Sequence, residues 1–247
     1  MGKRSADMSR VALVSGSSGL VGVQLLHQLF QNSAYDWVIS FGRRDLALKH
    51  PKLVQIKVDF GGLDQLNVIE EIRLQNRGGD FQPLIRSLET ESVQLSAFCA
   101  LGTTIKAAGS KEKFYQVDHD FVIGFARMAL RTGASRFFYV SAIGADSGSS
   151  VFYNKVKGEV EDDLKRIDFT YVGIFQPSLL LGDRNENRIG EEVGKILMKG
   201  LTFLGILKKY KPIYGYQVAK AMVIKDSGED VAGYETIPSS EMHTMTQ

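Results

Sequence analysis

The stretch from Arg10 to Phe30 limits what this chain can fold into more than any other. Val11-Ala12-Leu13-Val14 is an apolar run of strand length, Gly16-Ser17-Ser18-Gly19-Leu20-Val21-Gly22 follows it, and Leu25, Leu26 and Leu29 continue at helical spacing. A buried strand, a glycine turn and an amphipathic helix in that order open a nucleotide-binding α/β domain. Gly16 lets the chain turn sharply off the strand, Gly19 lets the backbone approach a pyrophosphate, and Gly22 lets the helix pack on the sheet. The helix then aims its unpaired N–H groups at the phosphates. Such a glycine string is weak evidence by itself; the strand before it and the helix after it give it force.

At 247 residues the chain suits one α/β domain with a small appendage. We read 1–247 as a single doubly wound parallel sheet, with residues 183–215 as a cover on the substrate side. Thirty Lys and Arg oppose 28 Asp and Glu without a basic block, which argues against nucleic acid as the main ligand. The single cysteine, Cys99, excludes an internal disulfide framework, and the first ten residues lack the apolar core of a secretory signal. A cytoplasmic location is therefore expected. Met1-Gly2 is followed by Ala6 where a myristoylation signal wants Ser or Thr, and no apolar run approaches the roughly 20 residues that span a bilayer.

Apolar strand candidates alternate with helical stretches: 11–14, 37–41, 53–58, 95–100, 136–140 and 170–175. Helices are expected near 20–31, 62–77, 112–131, 153–166, 190–200 and 215–224. That alternation predicts a parallel sheet covered on both faces. Residues 77–92 read as a polar surface insertion, whereas 182–215 leaves the last strong strand at the carboxyl edge, where open α/β sheets bind ligands.

After the second strand come Gly42-Arg43-Arg44, where an acidic residue would hold the adenosine ribose of NAD. Two guanidinium groups suit a ribose 2′-phosphate instead, so NADP(H) is favoured over NAD(H); the plain alternative is a solvated Arg pair. Asp59, closing the third strand, has two readings, an acceptor for the adenine amino group or a cap on the next helix. The fourth strand runs into Cys99-Ala100-Leu101-Gly102-Thr103-Thr104, whose small residues allow the backbone close to a cofactor. Cys99 itself reads as packed core.

The fifth strand delivers Ser141 to the carboxyl edge. Twelve residues later stands Tyr153, and one helical turn on, Lys157. A phenol with pKa about 10 is a poor base at neutral pH, but an ammonium one turn away favours the phenolate and can hold a nicotinamide ribose. Ser141 would hydrogen-bond the substrate oxygen. A second Tyr-x-x-x-Lys, Tyr216 and Lys220, follows no strand ending in Ser and reads as surface packing.

Five phrases carry a resemblance: 15–22, 100–104, 140–146 (Val-Ser-Ala-Ile-Gly-Ala-Asp), 150–159 (Ser-Val-Phe-Tyr-Asn-Lys-Val-Lys-Gly-Glu) and 177–182 (Pro-Ser-Leu-Leu-Leu-Gly). Along nearly its whole length the chain resembles the atypical short-chain dehydrogenase/reductases, most closely the Tat-interacting-protein-like branch with its bacterial relatives. The resemblance implies a Rossmann fold, bound NADP(H), the catalytic set Ser141, Tyr153 and Lys157, and cofactor contacts from Pro177 and Ser178. Two positions depart from the pattern: Gln176 stands where such relatives carry Arg, and Asp118 where many carry Asn.

His27, His50, His119 and His243 lack metal-site spacing, and no metal is expected. His119 reads as an exposed helix residue. Arg184 and Arg188 either clamp an anionic substrate group or are solvated loop charge. The apolar run 196–207 with its basic end reads as pocket lining or a packed helix rather than a membrane contact. The resulting expectation is hydride transfer between nicotinamide and a carbonyl or secondary alcohol on a small-molecule substrate. Two alternatives are a redox-sensing regulator with a protein partner and a nucleotide-sugar epimerase or dehydratase. Residues 112–131 and 153–166 offer a seam for a homodimer.

Overall fold

The computed structural model describes residues 9–75, 81–90, 92–182, 211–228 and 232–247. Six strands form where the apolar runs place them: β1 (Ser9–Ser15), β2 (Trp37–Gly42), β3 (Leu53–Lys57), β4 (Val93–Cys99), β5 (Arg136–Val140) and β6 (Tyr171–Gln176). A two-residue pair, β7 (Leu180–Leu181) with β8 (Ile213–Tyr214), stands apart, and β9 (Gly233–Pro238) completes the main sheet. All neighbours in that sheet are parallel, in the order β3-β2-β1-β4-β5-β6-β9.

Alternation along the strands sorts side chains onto two faces. Val11 and Leu13 of β1 join one core with α2 (Val68–Gln75), α3 (Gln82–Glu89), α6 (Phe121–Arg131) and α7 (Phe152–Leu164), represented by Ile72, Leu84, Phe125 and Val160. Ala12 and Val14 join the other with α1 (Leu20–Gln31), α8 (Gly215–Ser227) and α9 (Ser239–Met245), represented by Leu25, Val218 and Met242. Because β1 pairs with β2 on one side and β4 on the other, the winding reverses between β1 and β4. The crevice at their carboxyl ends is where such sheets take ligands.

Three expectations need correction. Within residues 77–92, expected as a polar excursion, α3 packs Leu84, Ile85 and Leu88 into the core, and Pro83 suits its first turn. Strand β9 adds to the six expected strands; it carries little apolar signal because it is an edge strand whose only fully buried side chain is Ile237, closed by Pro238. The helix expected over 112–131 is interrupted: after the short α4 (Ile105–Ala108), α5 (Lys111–Tyr115) passes through a π turn, Gln116–Asp120, before α6 begins. The expected helix at 190–200, the apolar run 196–207 and most of the 183–215 cover lie outside the described residues.

Candidate active site

The glycine turn is built as a cradle. Gly16 has φ +77°, and a Cβ there would come 2.4 Å from the Ala100 carbonyl carbon. A Cβ at Gly22 would come 2.1 Å from the Gly16 oxygen, so turn, helix and the loop after β4 meet backbone to backbone. Helix α1 has Gly19 at its N-cap and no capping side chain, which leaves its first amides for a ligand. Ser17 is buried and bonded to Ser40 at 2.6 Å, while Ser18 is exposed and Leu20 packs against Gly182 and Gly215. These residues fit a dinucleotide pyrophosphate in shape and in donor chemistry.

Arg43 and Arg44 are exposed just beyond β2. Asp59 accepts the Gly61 N–H at 3.0 Å as the cap of the 3-10 turn Phe60–Gln65, the second of its two readings. Cys99 is buried beside Ser15, and burial pushes its thiol up to about 11, as suits packed core. Ser178 donates to the Lys211 carbonyl at 2.5 Å and pairs with Ser239 at 3.0 Å, which ties the chain after β6 to α9.

Helix α7 places Tyr153, Lys157 and Glu161 at successive turns of one side. The Tyr153 ring packs on Phe114, 5.8 Å between centroids. Lys157 is buried, with its Nζ 2.8 Å from Asp118 Oδ1 and 3.0 Å from the Tyr139 hydroxyl. Burial alone would pull the ammonium down; Asp118 first, then Tyr139 and Tyr153, more than offset this and hold its pKa well above the usual lysine range. The Tyr153 phenol is nonetheless raised. Burial pushes it up, Lys157 pulls it down, and Asp118 pushes it up again. Sequence reasoning singled out both Lys157 and Asp118 but did not pair them.

Ser141 is engaged by the third of the residues on that side of α7, Glu161. Its hydroxyl donates to Glu161 at 2.5 Å, and Gln176 donates to both oxygens of the same carboxylate at 3.0 and 3.1 Å. Glu161 is two turns beyond Tyr153, about 12 Å along the helix axis. Burial raises the Glu161 carboxyl, opposed by the bonds from Ser141 and Gln176. The sequence reading missed Glu161, although its spacing of four from Lys157 on a helix was there to find.

His119 is not the exposed residue expected. Its ring stacks on Tyr115 at 4.6 Å and its nitrogens face Asp120 and Asp163 at 2.9 and 3.1 Å, joining the π turn to α7. Tyr216 is 46% exposed on α8, where its ring stacks on Tyr214. Arg184 and Arg188 lie outside the described residues.

The sheet order and the crevice define a Rossmann domain. Among solved structures, a UDP-glucose 4-epimerase of Thermotoga maritima superposes with TM-score 0.61 at 13% identity, covering 92% of this chain and 76% of its own. A short chain dehydrogenase family protein of Francisella tularensis does so with TM-score 0.58 at 16% identity, covering 96% and 99%. Such likenesses establish the fold. No family model matches the chain. Among curated proteins, "Protein FMP52-1, mitochondrial" of Scheffersomyces stipitis is 33% identical over 219 residues, 86% of each chain. Rat "Protein HTATIP2" is 32% identical over 186 residues, 74% of this chain and 68% of its own. The chain belongs to the family of the HTATIP2 and FMP52 proteins, an atypical branch of the short-chain dehydrogenase/reductases.

These relatives overturn the cytoplasmic expectation, because the FMP52 proteins of Scheffersomyces stipitis, Eremothecium gossypii and Kluyveromyces lactis are named as mitochondrial. The physical reason is simple. A lone cysteine excludes an internal disulfide framework but does not separate one compartment from another.

Proposed function

We propose that the protein is an NADP(H)-dependent oxidoreductase that moves hydride between nicotinamide and a carbonyl or secondary alcohol. The observation that carries this is the Tyr153 and Lys157 pair, one turn apart on α7, on a Rossmann domain with its glycine cradle. A bound nicotinamide would supply or receive the hydride. Gly16 to Gly22, with Ala100 to Thr103, would hold the dinucleotide, and Arg43 and Arg44 its 2′-phosphate. Tyr153 takes the proton of the alcohol oxygen in one direction and returns it to the carbonyl oxygen in the other. Lys157 lowers the cost of the phenolate. Ser141 must release Glu161 before its hydroxyl can donate to a carbonyl.

A panel of carbonyl compounds with NADPH tests this. Tyr153→Phe should retain NADPH binding and lose about 10²–10⁴-fold in turnover. Equal turnover in the variant removes Tyr153 from the mechanism. Replacing Arg43 and Arg44 together by Ala should weaken NADPH by about tenfold or more and leave NADH alone, since charge-assisted bonds to the extra phosphate are what is lost. Equal loss for both dinucleotides would refute the NADP(H) preference. The names of the fungal relatives support a mitochondrial setting, which imaging of a tagged protein tests.

A further inference from the structure

Two buried groups of opposite charge sit behind the reacting tyrosine. Asp118 and Lys157 are both withdrawn from solvent, and their ion pair closes at 2.8 Å. Asp118 stands in the π turn between α5 and α6, where the widened turn redirects a side chain that a regular helix would place differently. Its two oxygens do different things. Oδ2 accepts the Thr103 N–H at 2.8 Å, while Oδ1 takes the Lys157 ammonium at 2.8 Å. A Cβ on Gly102 would lie 3.4 Å from that same Oδ1. One carboxylate therefore joins the lysine of the reacting pair to the loop that follows β4.

We propose that Asp118 is a positioning residue that sets how much of the Lys157 charge Tyr153 experiences. The inference rests on the reading of Tyr153 and Lys157 as the reacting pair. An ammonium alone would draw the phenol towards its anion; a carboxylate in contact with that ammonium cancels much of its field and adds a negative charge that favours the neutral phenol. The charged and titratable groups around the cluster are Tyr153 and Lys157 of α7, Asp118 of the π turn, Tyr139 of β5 and Cys99 of β4. Burial pushes both Tyr139 and Cys99 up, so they stay protonated near neutral pH and Asp118 is the anion that answers Lys157.

Titration of tyrosinate absorbance, taken as the difference between a protein and the same protein carrying Tyr153→Phe, follows this one phenol without any substrate. Asp118→Asn keeps an acceptor for the Thr103 amide and removes the charge. Its Tyr153 should ionise about one pH unit lower than in the unaltered protein, giving about tenfold more phenolate at any pH well below the midpoint. Asp118→Glu, which keeps the charge, should titrate with the unaltered protein. An Asp118→Asn curve that overlays the unaltered one overturns the inference. Should that variant fail to fold, Asp118→Ser, neutral and smaller, is read the same way. A downward shift in a protein that turns over no carbonyl keeps the role of Asp118 and removes the oxidoreductase reading. A pH–rate limb that moves down with the titration supports both.

Discussion

Asp226 and Asp118 are both wholly buried, one near each end of the sheet, and the fold holds them in opposite ways. Asp226, near the end of α8, lies against the amino ends of β1 and β5. Its Oδ2 takes Arg10 at 2.7 Å and the Tyr35 hydroxyl; its Oδ1 takes Ser96 at 2.7 Å and faces Arg136 at 3.5 Å. Even its backbone carbonyl takes Arg136, at 2.7 Å, and Arg10. Asp118, at the carboxyl end of the strands, has one ammonium on Oδ1 and one amide on Oδ2. A carboxylate with every lone pair occupied has one arrangement and serves as a staple. One with a single donor on each oxygen keeps lone pairs for whatever enters beside it.

The largest effect is expected at the staple. Asp226→Ala leaves Arg10 and Arg136 in the interior without an anion, and losing one partner of such a buried cluster costs about 3–5 kcal/mol, read as a lower urea midpoint. The cofactor sharpens the other end. NADPH at about 100 times its Kd should add about 2.7 kcal/mol to the unfolding free energy of the unaltered protein. The same increment should survive in Asp226→Ala under conditions where that variant is folded, because the two clusters share no side chain. A lost increment would show that the staple and the site are coupled through the sheet.

What could be read from the chain beforehand follows from where physical signals are local. Strands β1 to β6 and helix α1 announce themselves by uninterrupted apolar runs or helical spacing, and the glycine turn by its spacing between that first strand and that helix. Tyr153 and Lys157 are neighbours on one helix, so spacing alone pairs them. The ionic environment is not local. Asp118 reaches Lys157 from 39 positions upstream, through a π turn that no periodicity signals. Ser141 was assigned from chain order, which says where a strand ends but not which way a hydroxyl turns once Glu161 is near. Helix α3 shows the reverse error: Leu84, Ile85 and Leu88 were visible, but their polar surroundings dominated the reading.

Glu161 lies between the two aspartates in character and gives the smallest effect. Like Asp226 it is well bonded, yet its close partners, Ser141 and Gln176, are both neutral. Burial raises its pKa in the folded protein, so the native state holds the proton more tightly than the unfolded chain does. The stability it contributes is therefore fully present below the ordinary carboxylate range and is lost as pH rises through the raised value. Glu161→Gln carries no such charge in either state. Urea midpoints measured from acid to neutral pH should show the unaltered protein losing ground to Glu161→Gln across that window, by less than the about 2.7 kcal/mol of the cofactor increment. A difference between the two that stays constant with pH would mean that Ser141 and Gln176 stabilise the anion as well as water does, and Glu161 would then belong with Asp226 as a staple.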